Sequence, residues 1–331
     1  MISVSHLTKY YGSLMAVDDL SFEIDESHVY GFLGPNGAGK TTTMNIMTGC
    51  LSATAGSVQI DGYDIFEDPG EAKKRIGYLP EQPPLYLSES PEEYLRFVGE
   101  AKGLRGSALQ EQIQDVIQQT GIEAVKGRRI AGLSKGYRQR VGIAQALLGS
   151  PKAIILDEPT VGLDPIQIIE IRELIKELGK QHTVIFSSRI LSEVQTICDQ
   201  VLIIANGKLV AFDRPEALEK RLLAPNEILV VPDGSTKEAM VILESLQHVT
   251  HIQAEEEGVH PTLRIRTDVG DLYDLSRAIF LAFAQAKKPL LELRLEKASL
   301  EQVFLQLTES VQEASPQEAG DGTKQKEAKP I

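Results

Sequence analysis

Over residues 1–222, apolar residues fall into short runs separated by turn residues, the pattern of strands alternating with helices. "SFEIDESHVYGFLG" reads as strands around a turn, and "KAIILDEP" is a short apolar run that ends in acids, the habit of a buried parallel strand. "HTVIFSS" is a further strand, and "QVLIIANGKLVAF" is a strand pair joined by an Asn206-Gly207 turn. Between Pro84 and Gly149 the apolar spacing becomes helical. There "SPEEYLRFVGEAKGL" opens with Ser90 as a cap and Pro91 at the first helical position. This block is expected to be a helical insertion within one α/β domain. From Glu227 the texture changes again: strand, helix, strand, strand, helix and strand follow in "EILVVPD", "TKEAMVILESLQ", "VTHIQAEE", "TLRIRTD", "DLYDLSRAIFLAFAQA" and "LLELRLEK". That order predicts a small ferredoxin-like α+β domain over 226–309, closed by a short helix in "SLEQVFLQLTES". Residues 310–331 lack large apolar groups and are expected to be disordered.

Composition adds limits rather than an identity. A chain of 331 residues suggests about two domains. A net charge of −13 argues against nucleic acid as the main ligand, because a phosphate backbone calls for a basic face. Cys50 and Cys198 are too few and too far apart for a disulfide framework or a metal site, and both are expected to be reduced, buried thiols. No basic start followed by an apolar stretch marks a signal peptide. The best candidate span, "AIFLAFAQA" from Ala278, is half the length that a bilayer needs. The expected location is therefore cytoplasmic, with attachment to a membrane only through a partner.

Three stretches carry chemistry. Gly34, Pro35, Asn36, Gly37, Ala38, Gly39, Lys40 and Thr41 fit G-x-x-x-x-G-K-[ST], the P-loop. Its glycines let backbone N–H groups turn inward around a phosphate chain, Lys40 supplies a point charge, and the Thr41 hydroxyl is a ligand for Mg²⁺. The helix that starts there, with Thr42 in its first turn, points its positive end at the same anion. In "AIILDEPTVGLD", Asp157 ends an apolar strand where it can hold Mg²⁺, and Glu158 follows as a group able to polarise an attacking water. In "AGLSKGYRQRVGIAQALL", Leu133, Ser134, Lys135, Gly136 and Tyr137 open a helix upstream of that strand. Ser134, the Gly136 backbone and the helix N-terminus form a second potential anion cradle.

These motifs, in this order, resemble those of ABC-transporter ATPases, and the resemblance covers residues 1 to about 222. It implies a P-loop ABC ATPase domain of α/β class with a helical subdomain, to which the small ferredoxin-like α+β domain is added. That addition resembles the extension on ATPases of the bacterial export and gliding-motility type. The resemblance implies ATP and Mg²⁺ as ligands, and a head-to-tail homodimer in which Ser134 and Gly136 of one copy close over ATP held by the other. Tyr11 matches the aromatic residue that stacks on adenine, and Gly162 to Asp164 match the loop that links the two sites. Implied partners are integral-membrane permease subunits, placing the chain at the inner face of the cell membrane, with no nucleic acid expected. Two positions depart from the pattern. Glu81 stands where most members have the glutamine that senses Mg²⁺, and Arg189 stands where a histidine usually touches the γ-phosphate. Arginine can bind phosphate but cannot exchange a proton near neutral pH. Glu158, Lys40 and Arg189 are thus the expected catalytic groups, and Thr41, Asp157 and Glu81 the expected metal side. Alternatives are a soluble ABC ATPase outside transport, and a weakly hydrolysing ATP-dependent regulatory clamp.

Overall fold

A computed structural model describes residues 1–221, 226–255, 260–267, 272–296 and Phe304. The expected domain boundary at 222, most of the closing helix and the tail at 310–331 lie outside the described residues.

The chain enters through β1 (Ile2–Tyr11) and β2 (Leu14–Ile24), crosses to β3 (Val29–Leu33), and then forms α1 (Lys40–Met47). β4 (Ala55–Ile60) and β5 (Tyr63–Asp64) return to the first two strands in an antiparallel sheet of order β2-β1-β4-β5. The two strands of "SFEIDESHVYGFLG" therefore belong to different sheets, and their turn carries the chain from one to the other. After α2 (Pro69–Lys74) come β6 (Ile76–Leu79), α3 (Pro91–Ala101), α4 (Gly106–Gln119) and α5 (Lys135–Leu147). β7 (Ala153–Leu156), α6 (Pro165–Leu178), β8 (Thr183–Ser188), α7 (Leu191–Ile197), β9 (Gln200–Ala205), β10 (Lys208–Asp213) and α8 (Pro215–Arg221) complete this part.

The second sheet has the order β10-β9-β3-β8-β7-β6, parallel except for the β9–β10 hairpin. Both of its faces are buried, which is why its strands read as continuous apolar runs. Along β3, Val29 and Leu33 face the core shared with α3–α7, while Tyr30 and Phe32 face a second core built with α1 and the antiparallel sheet. Phe22 of β2 meets Phe32 edge-on at 5.8 Å. Asn206 and Gly207, at φ 49° and 79°, make the expected hairpin turn. That turn supports the P-loop directly, because the Gly207 N–H donates to the Ala38 carbonyl at 3.0 Å.

The helices start where their caps lie. Ser90 Oγ accepts from the Glu93 N–H and the Glu93 carboxylate returns to the Ser90 N–H at 2.9 Å, a capping box. Ser134 caps α5 by accepting from the Tyr137 N–H, and Asp164 caps α6 by accepting from the Gln167 N–H.

β11 (Asn226–Pro232), α9 (Thr236–Glu244), β12 (Val249–Glu255), β13 (Thr262–Thr267), α10 (Leu272–Gln285) and β14 (Leu290–Glu296) form the third sheet. Its antiparallel order β12-β13-β11-β14 is that of a ferredoxin-like unit. Ile228, Val230, Leu263 and Ile265 pack beneath Leu243 of α9 and Ile279 and Phe283 of α10. The apolar run at Ala278 lies in α10, which buries Ile279 and Phe283 and exposes Phe280 and Leu281, and no helix among the described residues is long and apolar enough to cross a membrane. The expectation of two buried thiols is corrected in part. Cys50 is exposed, whereas burial pushes the Cys198 thiol well up, and both cysteines are free.

Candidate active site

The loop between β3 and α1 closes the C-terminal end of the parallel sheet, where ligands collect in open α/β folds. Gly39, at φ 102°, turns the backbone into α1 through a left-handed conformation that favours glycine. A cleft of about 310 Å³ is lined by Tyr11, Leu14, Pro35, Asn36, Gly37, Ala38, Gly39, Lys40, Thr41, Thr42, Glu158 and Arg189. Gly34 is buried at its base, where its carbonyl accepts from Lys40 Nζ at 2.7 Å. Residues scattered over the sequence from Tyr11 to Arg189 therefore share one cleft. Ser134 and Gly136 do not. They line a second cleft of about 560 Å³ with Tyr137, Arg140, Asp164 and Gln167. Lys135 lies across Gly162, whose φ is 70°, so the helix that starts at Ser134 touches the Gly162–Asp164 loop within the same chain.

Asp157 and Glu158 follow β7 and are both buried, at 1% and 5% exposure. Ser187, at the end of neighbouring β8, ties them together: its hydroxyl donates to Asp157 Oδ1 at 2.6 Å and accepts from the Glu158 N–H at 2.7 Å. Asp157 Oδ2 is buried with no hydrogen-bond partner among the described residues. A buried, orphaned carboxylate oxygen is costly without a partner, and a divalent cation is the partner that its position beside the P-loop suits. Among the described residues no cluster of three or more His, Cys, Asp or Glu could hold a metal unaided. Thr41 and Asp157 would therefore have to share Mg²⁺ with phosphate oxygens.

Glu158 sits at φ 49°, a left-handed conformation that costs a non-glycine residue about 1–2 kcal/mol. Its Oε1 accepts from Arg189 Nε at 2.9 Å and lies 3.8 Å from Lys40 Nζ. Arg189 also approaches Glu81 at 3.6 Å, so Glu81 reaches the site through the guanidinium. The Glu158 hydrogen bond holds the Arg189 guanidinium above its ordinary pKa, while desolvation lowers that of Lys40 against the pull of Glu158. Two cations thus converge on one carboxylate oxygen, in a cleft suited to an anionic ligand with several negative oxygens.

Several residues of the site were not singled out in the sequence: Ser187, Ser188, Thr160, Arg172 and Glu193. Glu193 of α7 is wholly buried. Its Oε2 accepts from Thr160 Oγ1 at 2.9 Å and from Ser188 Oγ at 2.7 Å, and its Oε1 lies 3.4 Å from Arg172 Nη2. The available signal was a charge on the apolar face of a short helix, between Leu191, Val194 and Ile197.

Residues 17–161 match the family described as ABC transporter. The linearmycin resistance ATP-binding protein LnrL of Bacillus subtilis (strain 168) is 30% identical over 312 residues, covering 93% of this chain and 98% of that one. The bacitracin transport ATP-binding protein BcrA of Bacillus licheniformis is 33% identical over 309 residues, covering 93% and 97%. Among solved structures, an ATP binding subunit of an ABC transporter matches with a TM-score of 0.61 and 29% identity, over 67% of this chain and 92% of that one. By these likenesses, this chain belongs to the ABC transporter ATP-binding family and is an ATPase of that family.

Proposed function

We propose that this chain is the ATP-hydrolysing subunit of a bacterial exporter, dimerising head-to-tail around two ATP molecules to drive separate membrane permease subunits. The observation that carries this reading is the single cleft in which the P-loop, Tyr11, Glu158 and Arg189 meet, with the orphaned Asp157 Oδ2 beside it. Tyr11 offers its ring to adenine. The P-loop N–H groups from Gly34 to Thr42, with Lys40, hold the phosphates. Thr41 and Asp157, with Glu81 at the edge, would hold Mg²⁺, whose charge would offset that of the phosphate oxygens. Glu158 takes the proton of the attacking water, in competition with Arg189, which already donates to its Oε1. Ser134 and Gly136 of a second copy close over the same ATP, in keeping with their separate cleft on this chain.

The relatives' roles, linearmycin resistance and bacitracin transport, support outward transport at the inner face of a cell membrane. An exposed patch of Tyr86, Leu87 and Phe97 on the helical subdomain is a suitable seat for a permease segment. Glu158→Gln with ATP and Mg²⁺ tests the composite site, because the amide binds but cannot take the proton. A dimer by light scattering is expected, and a monomer at saturating ATP counts against the reading. The Arg189–Glu158 pair favours one alternative, a clamp that binds ATP and hardly turns it over. Steady-state turnover of the full chain separates the two.

A further inference from the structure

We infer that Glu193 is a positioning residue for ATP hydrolysis: it fixes the loop that carries Glu158 against the loop that carries Arg189. The inference rests on Glu158 being the group that takes the proton. Thr160 lies two residues after Glu158 and Ser188 one residue before Arg189, and both hydroxyls donate to the same oxygen, Glu193 Oε2, at 2.9 and 2.7 Å. One atom therefore bridges the two loops, beyond the Ser187 hydroxyl that joins their strand ends. A third segment joins from α6, where Arg172 Nη2 approaches Glu193 Oε1 at 3.4 Å. α6 follows directly from the Gly162–Asp164 loop.

Stability alone does not account for this arrangement. Glu193 is fully buried, and neither Oε1 nor Arg172 Nε has a hydrogen-bond partner among the described residues. An imperfectly satisfied buried ion pair is generally no better for stability than apolar side chains of similar volume. What the carboxylate does provide is two acceptor directions on one oxygen, so that two hydroxyls from different segments are held at once. The need for such a hold is visible at Glu158, whose left-handed backbone at φ 49° is tied on its N-terminal side by Ser187. The Thr160–Glu193 bond ties it on the other side. Without that bond, residues 158–160 can relax towards an unstrained conformation and carry the carboxylate away from the cleft. A misplacement of about 1 Å at a reacting group can lower a rate by up to about a hundredfold.

The test uses the full chain with ATP and Mg²⁺, measuring kcat, KM and the equilibrium affinity for ATP. Glu193→Ala is expected to lower kcat by about tenfold to a hundredfold while ATP affinity stays within about threefold of the parent. Glu193→Gln keeps one oxygen able to accept from both hydroxyls and is expected to restore kcat to within about threefold. Three results overturn the inference while leaving the ATPase reading intact. They are an unchanged kcat in the alanine variant, a loss of affinity parallel to the loss of kcat, and a glutamine variant as slow as alanine. If Glu193→Ala fails to fold, Thr160→Val removes one hydroxyl alone and is expected to lower kcat about fivefold at unchanged affinity, an unchanged kcat overturning the role. A parent protein that binds ATP without ever turning it over overturns both the role and the reading beneath it.

Discussion

Arg189→His separates binding from chemistry at the end of the cleft where Lys40 and Glu158 meet. In the parent, Arg189 Nε donates to Glu158 Oε1 at 2.9 Å, and this bond competes with an attacking water for that oxygen, on the proposal that Glu158 takes the water's proton. A hydrogen bond to a charged group contributes about 1.5–3 kcal/mol. Glu158 is 5% exposed but the Arg189 side chain is 45% exposed, which puts the pair at the lower end, about 1.5 kcal/mol after solvent screening. A barrier change of that size corresponds to about tenfold in rate. Imidazole is shorter, cannot fork to Glu158 and Glu81 together, and is largely neutral near pH 7. The histidine variant should therefore bind ATP more weakly and turn it over about tenfold faster at saturation. Steady-state ATPase kinetics, with affinity from calorimetry, measure both quantities. Arg189→Ala serves as the control, since it frees Glu158 without supplying a group to orient the water, and it should fall below the histidine variant. A histidine variant slower than the parent refutes the reasoning. Arg189 would then stabilise charge in the transition state, as an arginine finger does.

Lys40→Ala removes the ammonium that bonds Gly34 and Pro35 and faces Glu158, and should abolish tight ATP binding; unchanged affinity by calorimetric titration would sink the P-loop assignment. Ser90→Ala breaks the capping box of α3 and should cost about 1 kcal/mol. For a domain of this size that lowers Tm by about 2–4 °C in a thermal melt, with ATP affinity unchanged.

Signals spanning a few residues were legible in the sequence, because the physics behind them is local. Gly34 to Thr41 specify a loop, a helix start and a cation in one stretch. Ser90 and Ser134 name their helix starts, because a cap bonds N–H groups three residues on. Asn206-Gly207 names its turn because both residues tolerate positive φ. The strand and helix order after Glu227 was enough for the ferredoxin-like arrangement, since few topologies bury that pattern. Choices that depend on which distant residue arrives alongside were decided by the tertiary structure alone. Apolar periodicity marks β2 and β3 as strands but not as members of different sheets, because either edge would bury the same face. Arg189 read as a phosphate contact, yet its nearest carboxylates, Glu158 and Glu81, come from the ends of other strands. Glu193 was not singled out in the sequence. Its burial, and its hold on Thr160, exist only once β7, β8 and α7 have packed, because a hydrogen bond between residues 33 apart leaves no periodic trace in the chain.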